Sequence, residues 1–289
     1  MRYRYYYCER TSERLINYLT VESIKYNVTE GISAGRYACP ALVSFNIWAD
    51  DKNAEQHMQT LNEISRFGPT KYAEYSSRDY SKATYLMMRP KSQSVEIVNP
   101  DEAFQYSCQW VNSVGMHLRK HEKQVGPVVI AKEPDIRKST ALWSEDTSFS
   151  VFFASKKVVD LVNQHSLVGI SFPKVKLRNG NESENIFQMI SPNIITQDCI
   201  GMENLKIVET CLVCGKEQFF LDHAEQLHVD FSKLPVDSDL YLTESIFGEG
   251  DPEPLFIISQ RFYQLLNENK LARNVVFTPV VDISRQPES

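Results

Sequence analysis

The stretch VFFASKKVVDLVNQHSL, Val151–Leu167, returns without a gap as LFIISQRFYQLLNENKL, Leu255–Leu271. Five of its seventeen positions are identical: Phe152/Phe256, Ser155/Ser259, Leu161/Leu265, Asn163/Asn267 and Leu167/Leu271. Each copy opens with four apolar residues in a row, the pattern of a buried strand. A serine follows, placed to accept a hydrogen bond from an orphan backbone N–H of a first helical turn. Val158, Leu161 and Val162, or Phe262, Leu265 and Leu266, then fall on one face of an amphipathic helix. Both copies run on to a predicted strand ending near a proline, Ile170–Pro173 and Val275–Pro279. The unit is therefore strand, capped helix, strand, over 151–175 and 255–280. A chance likeness between two common units is the alternative, and the repeat describes architecture without naming chemistry.

Working outward, period-two and β-branched or aromatic runs predict strands at Arg2–Cys8, Ala41–Trp48, Tyr85–Met88, Val95–Val98, Val128–Ala131 and Lys216–Leu221. Met58, Leu61 and Ile64 stand at helical spacing and predict a helix over Ala54–Ile64; a second is predicted over Glu102–His117, started by Pro100-Asp101. His117–Gln124 reads as a polar connection. The expected fold class is α+β, with mixed sheets covered by helices and two similar strand-helix-strand units in the C-terminal half. The expected division is an N-terminal α+β region, 1–146, and a C-terminal α+β region, 147–289.

With 289 residues, 42% hydrophobic and 24% charged, the chain has the composition of a globular protein and can bury a full-sized core, which argues against disorder. A net charge of −6 disfavours a general nucleic-acid binder, which needs a basic stripe, and suits attraction to a basic partner. No apolar run approaches the roughly 20 residues that span a bilayer. The start, Met1–Tyr7, lacks the apolar core of a secretory signal, so a cytoplasmic location is expected. There the six cysteines stay reduced, and the sequons at Asn27 and Asn181 have no meaning.

Common catalytic signatures are absent: there is no phosphate loop, no dinucleotide fingerprint, no nucleophile elbow and no His-Glu-x-x-His. Gly248-Glu249-Gly250 is acidic and would repel a phosphate. An enzyme built from dispersed residues stays possible, but no catalytic residue is named. The one local motif is Cys211-Leu212-Val213-Cys214-Gly215. Two thiolates two residues apart can face one ion, and glycine permits the tight turn of a zinc knuckle. Cys39 and Cys199 are the candidates to complete a tetrahedral site, with Cys8, His223 and His228 as more remote choices. A redox pair and a purely structural pair in the core are the alternatives. The segment from Asp237 to Pro254 reads as an acidic loop. It carries Asp237, Asp239, Glu244, Glu249, Asp251 and Glu253 without a single Lys or Arg. It is either a solvated loop or a recognition surface for a basic partner; a calcium site at Asp237 and Asp239 lacks the rest of an EF-hand pattern.

The order Cys211-x-x-Cys214-Gly215, His228–Phe231, Leu234-Pro235, Asp239-Leu240-Tyr241, Ile246-Phe247, Leu255–Phe262 and Val276–Val280 resembles the C-terminal half of double-CxxCG motif immunity proteins and related polymorphic-toxin immunity proteins. Where that family has a first motif, this chain has Cys39-Pro40-Ala41-Leu42, with leucine in place of the second thiolate, which puts zinc in doubt. The resemblance implies a bacterial cytoplasmic antitoxin that binds its cognate toxin domain and occludes the active site or an essential surface. Asp237, Asp239, Glu249, Asp251 and Glu253 are the expected partner contacts. Competing readings are a zinc-binding nucleic-acid or regulatory module and an uncharacterised hydrolase.

Overall fold

In a computed structural model the chain is described except for residues 30–32, 35–36, 39–40, 65–68, 94, 112–116, 135–140, 146–150, 212–214, 235–236, 249–252 and 286–289. It is α+β, as expected. Backbone contacts separate two units, Met1–Asp79 with Asp222–Glu225, and Tyr80–Leu221 with Gln226–Ser289. No helix among the described residues is long and apolar enough to cross a membrane.

The first unit runs β1 (Arg2–Arg10), α1 (Glu13–Val21), β2 (Tyr26–Thr29), a small hairpin of β3 (Ser33–Ala34) and β4 (Tyr37–Ala38), β5 (Leu42–Trp48), α2 (Ala54–Ile64) and β6 (Thr70–Glu74). Its sheet has the order β2-β5-β1-β6, every neighbour antiparallel. With α1 joining β1 to β2 and α2 joining β5 to β6, this is the split β-α-β arrangement of ferredoxin-like folds. Alternation decides which face is covered. Tyr7 on β1 and Val43, Phe45 and Ile47 on β5 meet Leu15 and Leu19 of α1 and Ala54 and Leu61 of α2 in one core. Ser12 starts α1 by accepting a hydrogen bond from the Leu15 N–H at 3.2 Å. The division between units falls within α3 (Ser77–Lys82).

The second unit begins with β7 (Tyr85–Pro90), β8 (Ser92–Gln93), α4 (Pro100–Ala103), and a hairpin of β9 (Phe104–Val111) and β10 (His117–Gln124). It continues with β11 (Val129–Ile130), β12 (Leu142–Glu145), β13 (Phe152–Ser155), α5 (Lys156–Gln164), β14 (Lys174–Leu177) and β15 (Glu182–Gln188). The last part holds β16 (Ile194–Ile195), β17 (Leu205–Thr210), β18 (Glu217–Leu221), β19 (His228–Val229), β20 (Leu240–Phe247), β21 (Glu253–Ser259), α6 (Gln260–Glu268), β22 (Val275–Pro279) and β23 (Val281–Asp282).

Both copies of the repeat fold alike. One sheet contains β12-β13-β15-β14 in that order and the other β20-β21-β7-β22, all antiparallel. In each, the helix crosses from one strand to the next but one, over β15, the strand that directly follows β14, in the first copy and over β7, from far upstream, in the second. The Ser155 and Ser259 N–H groups donate to equivalent carbonyls, Ala141 at 2.9 Å and Asp239 at 3.1 Å. Both helices end on a left-handed residue, Ser166 (φ 50°) and Lys270 (φ 58°), followed by Leu167 N–H to Val162 O and Leu271 N–H to Leu266 O. Phe152 and Phe256, equivalent positions, meet with ring centroids 4.0 Å apart.

The four-residue apolar runs are explained by burial on both sheet faces. Phe152, Ala154, Phe256 and Ile258 share a central core with Val158, Leu161, Val162, Phe262 and Leu266 of the two helices. Val151 and Phe153 point into a second core with Trp143, and Leu255 and Ile257 into a third with Phe219 and Tyr241. At about 1.5–3 kcal/mol for each large side chain removed from water, this double burial is the main stabilisation of the unit.

Four expectations need correction. The helix predicted over Glu102–His117 is only α4; from Phe104 the chain is strand, and the polar stretch His117–Gln124 is its antiparallel partner. Ile170–Pro173 and Val95–Val98 make single bridges, Ser171 to Ile190 and Ile97 to Ile130, and the strand after α5 begins at Lys174. The supposed acidic loop Asp237–Pro254 is mostly β20 and the start of β21, because alternate residues such as Tyr241, Thr243, Ser245 and Phe247 are buried. The backbone contacts divide the chain at 79/80, whereas 1–146 and 147–289 had been expected: β7 and β12 hydrogen-bond to strands beyond residue 146.

Candidate interaction surface

The helices of the first unit cover one sheet face; the other carries Arg2, Arg4, Tyr6, Cys8 and Arg10 of β1. The registers Arg4↔Trp48, Tyr6↔Asn46 and Cys8↔Ser44 set β5 residues beside them, and Thr70, Tyr72 and Glu74 of β6 lie opposite Tyr6, Arg4 and Arg2. Directly opposed residues of antiparallel strands share a face, so these side chains form one array. The Arg2 guanidinium lies 3.9 Å from the Trp48 ring centroid and that of Arg4 lies 4.8 Å from Tyr72. Tyr72 stacks on His223 at 4.8 Å and meets Tyr6 edge-on at 6.1 Å.

Each of these two cations is balanced. Arg2 Nε donates to both Asp50 carboxylate oxygens at 2.9 Å, and Arg4 Nε lies 2.6 Å from Glu74 Oε1 while Arg4 Nη1 donates to Asn46 Oδ1 at 2.6 Å. The hydrogen bond from Arg2 holds the Asp50 carboxyl below its ordinary value, and burial raises the Tyr6 phenol. Tyr6, Trp48 and Tyr72 are half-buried, whereas Arg2, Asn46 and Glu74 are exposed. Tyr, Trp and Arg dominate binding hot spots, and rings already pinned by guanidinium groups lose little rotamer freedom on contact. The alternation Arg2, Arg4, Tyr6 was the available sequence signal, but Trp48 and Tyr72 join the face only through strand pairing.

The residues singled out from sequence are scattered. Asp239 is buried and internally bound: its Oδ2 accepts from Val168 N–H at 2.9 Å and its Oδ1 from Ser259 Oγ at 2.5 Å. Asp237 is exposed, Glu253 is half-buried at the start of β21, and Glu244 lies 3.9 Å from Lys216 Nζ. Glu249 and Asp251 lie outside the described residues.

Cys211 is buried at the base of the β17–β18 turn. Its carbonyl accepts from Gly215 N–H at 2.8 Å, its N–H donates to Lys216 O at 2.8 Å, and Gly215 takes φ +72°. Cys199 is buried in a core beside Thr196 Oγ1, 3.4 Å away, while Cys39 and Cys214 lie outside the described residues. Cys8 is exposed, His223 stacks on Tyr72, and His228 Nε2 lies 2.9 Å from Asn204 Nδ2. Among the described residues, no three His, Cys, Asp or Glu side chains converge to hold a metal.

Compared with known proteins, the chain matches no family model and no curated protein.

Proposed function

We propose that this chain is an immunity-type protein that binds a cognate bacterial toxin domain and neutralises it by covering its active site or an essential surface. The observation that carries the reading is the aromatic–guanidinium face of the first unit, where Asp50 and Glu74 already neutralise Arg2 and Arg4. Such a face offers apolar area and fixed hydrogen-bonding groups with little excess charge, which fits a folded protein better than a polyanion. The net charge of −6 adds long-range attraction to a basic partner. The likeness of the Cys211–Val280 segment to immunity proteins points to a toxin as that partner.

Where a neighbouring gene encodes a toxin domain, co-expression with it tests the proposal: growth is rescued. Trp48→Ala and Tyr6→Ala each weaken the complex about 30-fold, the equivalent of about 2 kcal/mol at a hot spot. Lack of rescue by a well-folded protein refutes the reading. Titration with single-stranded RNA separates it from a nucleic-acid module, since aromatics on the face of a four-stranded sheet also stack bases; tight, salt-dependent RNA binding favours that alternative.

A further inference from the structure

The strand β17 ends the path β17-β18-β20-β21-β7-β22, and no other described strand pairs with its outer side. Phe219, opposite Ile207 on β18, turns its carbonyl away from β17 and accepts from Gly248 N–H at 2.9 Å. In an antiparallel ladder the backbone groups of opposed residues point both inward or both outward. The N–H and C=O of Ile207 therefore face away from β18, toward the open edge. The strand also overhangs its core. Phe219 is 1% exposed, whereas Ile207 beside it is 52% exposed and Val208 42%. Two adjacent branched apolar side chains at an unpaired edge form a template for another strand.

The sequence of that edge, Leu205-Lys206-Ile207-Val208-Glu209-Thr210, is complementary to itself read backwards. Turned about a two-fold axis between Ile207 and Val208, it sets Lys206 opposite Glu209, Ile207 opposite Val208 and Leu205 opposite Thr210. Such pairing requires opposed side chains to share a sheet face. In an unbroken strand, residues three apart lie on opposite faces. Here the ladder skips Val208: Lys206 pairs with Phe220 and Glu209 with Gln218, two positions apart on β18. The bulge thus brings Lys206 and Glu209 to one face. Neither is ion-paired with another described residue. A lysine alone guards an edge against association, but one matched by a glutamate of the second copy becomes a contact.

We infer that two copies of this chain associate through β17, edge to edge and antiparallel, with Lys206 of each paired with Glu209 of the other. The interface is isologous, so each favourable pair occurs twice. The sheet continues across the two-fold axis, and the Ile207 and Val208 side chains of both copies cover one another. A strand of another protein would have to supply this charge order in reverse, which the chain already holds within itself.

Sedimentation equilibrium of the full chain at tens of micromolar tests this: the mass is that of a dimer, and it falls on dilution. Lys206→Glu and Glu209→Lys each turn both symmetric pairs into like-charge pairs and raise the dimer Kd about tenfold or more. Both positions lie outside the core, and circular dichroism checks that each variant keeps the fold. An equimolar mixture of the two variants restores the dimer as a heterodimer, because an all-acidic edge then meets an all-basic one. A monomer at these concentrations overturns the inference, and a strand of another protein as the sole occupant of the edge gives that result. A dimer that both single variants leave intact overturns it too, as does a mixture that stays monomeric. Toxin rescue is a separate readout, so either proposal can fail without the other.

Discussion

Replacing Asp239 by alanine removes a carboxylate that ties the two repeat copies together. One oxygen accepts from Val168 N–H, just after α5, and the other from Ser259, the N-cap of α6. Hydrogen bonds to charged groups are worth about 1.5–3 kcal/mol each, offset in part because a buried carboxylate also pays desolvation. The variant additionally strands the Val168 N–H. A net loss of roughly 2–4 kcal/mol follows, and for a unit of this size it lowers Tm by roughly 5–15 °C. Asp239→Asn keeps one acceptor and loses about half as much. Urea unfolding followed by circular dichroism measures the midpoint shift, with the slope unchanged if compactness is unaffected. A loss under about 1 kcal/mol, or asparagine as harmful as alanine, refutes the account. Because the carboxylate is spent internally, toxin affinity of the folded variant stays at the wild-type level.

Tyr7→Phe stabilises the first unit by about 1 kcal/mol, since the Tyr7 hydroxyl is buried without a hydrogen-bond partner among the described residues; a fall in Tm contradicts this. Burial also raises the Tyr7 phenol to about 12. Below the unfolded value near 10 this group adds no pH dependence, and as pH rises from there toward 12 the wild type loses further stability, because only the unfolded chain can ionise the phenol. Tyrosinate absorbance should show a late-titrating group that the phenylalanine variant lacks. For Phe152 and Phe256, 4.0 Å apart, a double-mutant cycle with leucine gives a coupling of about 0.5–1.5 kcal/mol; additivity would mean that the ring contact contributes nothing. Gly215→Ala meets no described residue within 4 Å of a new Cβ, so the cost is set by backbone strain at φ +72°, about 1 kcal/mol or slightly more by thermal melt. A neutral result shows that the turn can relax.

The residues themselves determined the local units. Apolar runs at Val151–Ala154 and Leu255–Ile258, followed by serine and an amphipathic face, specify strand then helix, because each periodicity matches only one backbone. Yet the same serine behaves differently in the two copies: Ser259 Oγ accepts from Phe262 N–H at 3.1 Å, while the Ser155 side chain makes no cap bond. Pairing across long sequence distances lay beyond local pattern. Phe104–Val111 carries apolar residues at helical spacing and strand formers at once, and its partner, His117–Gln124, has no apolar period at all, so only their meeting settles the conformation. Likewise β7 enters between β21 and β22 from far upstream, and Trp48 and Tyr72 reach Arg2 and Arg4 only through register. Charge was visible in Asp239, but its partners were not. A side chain's composition fixes what it needs, whereas the distant strand or N–H that satisfies it is set by the topology of the folded chain.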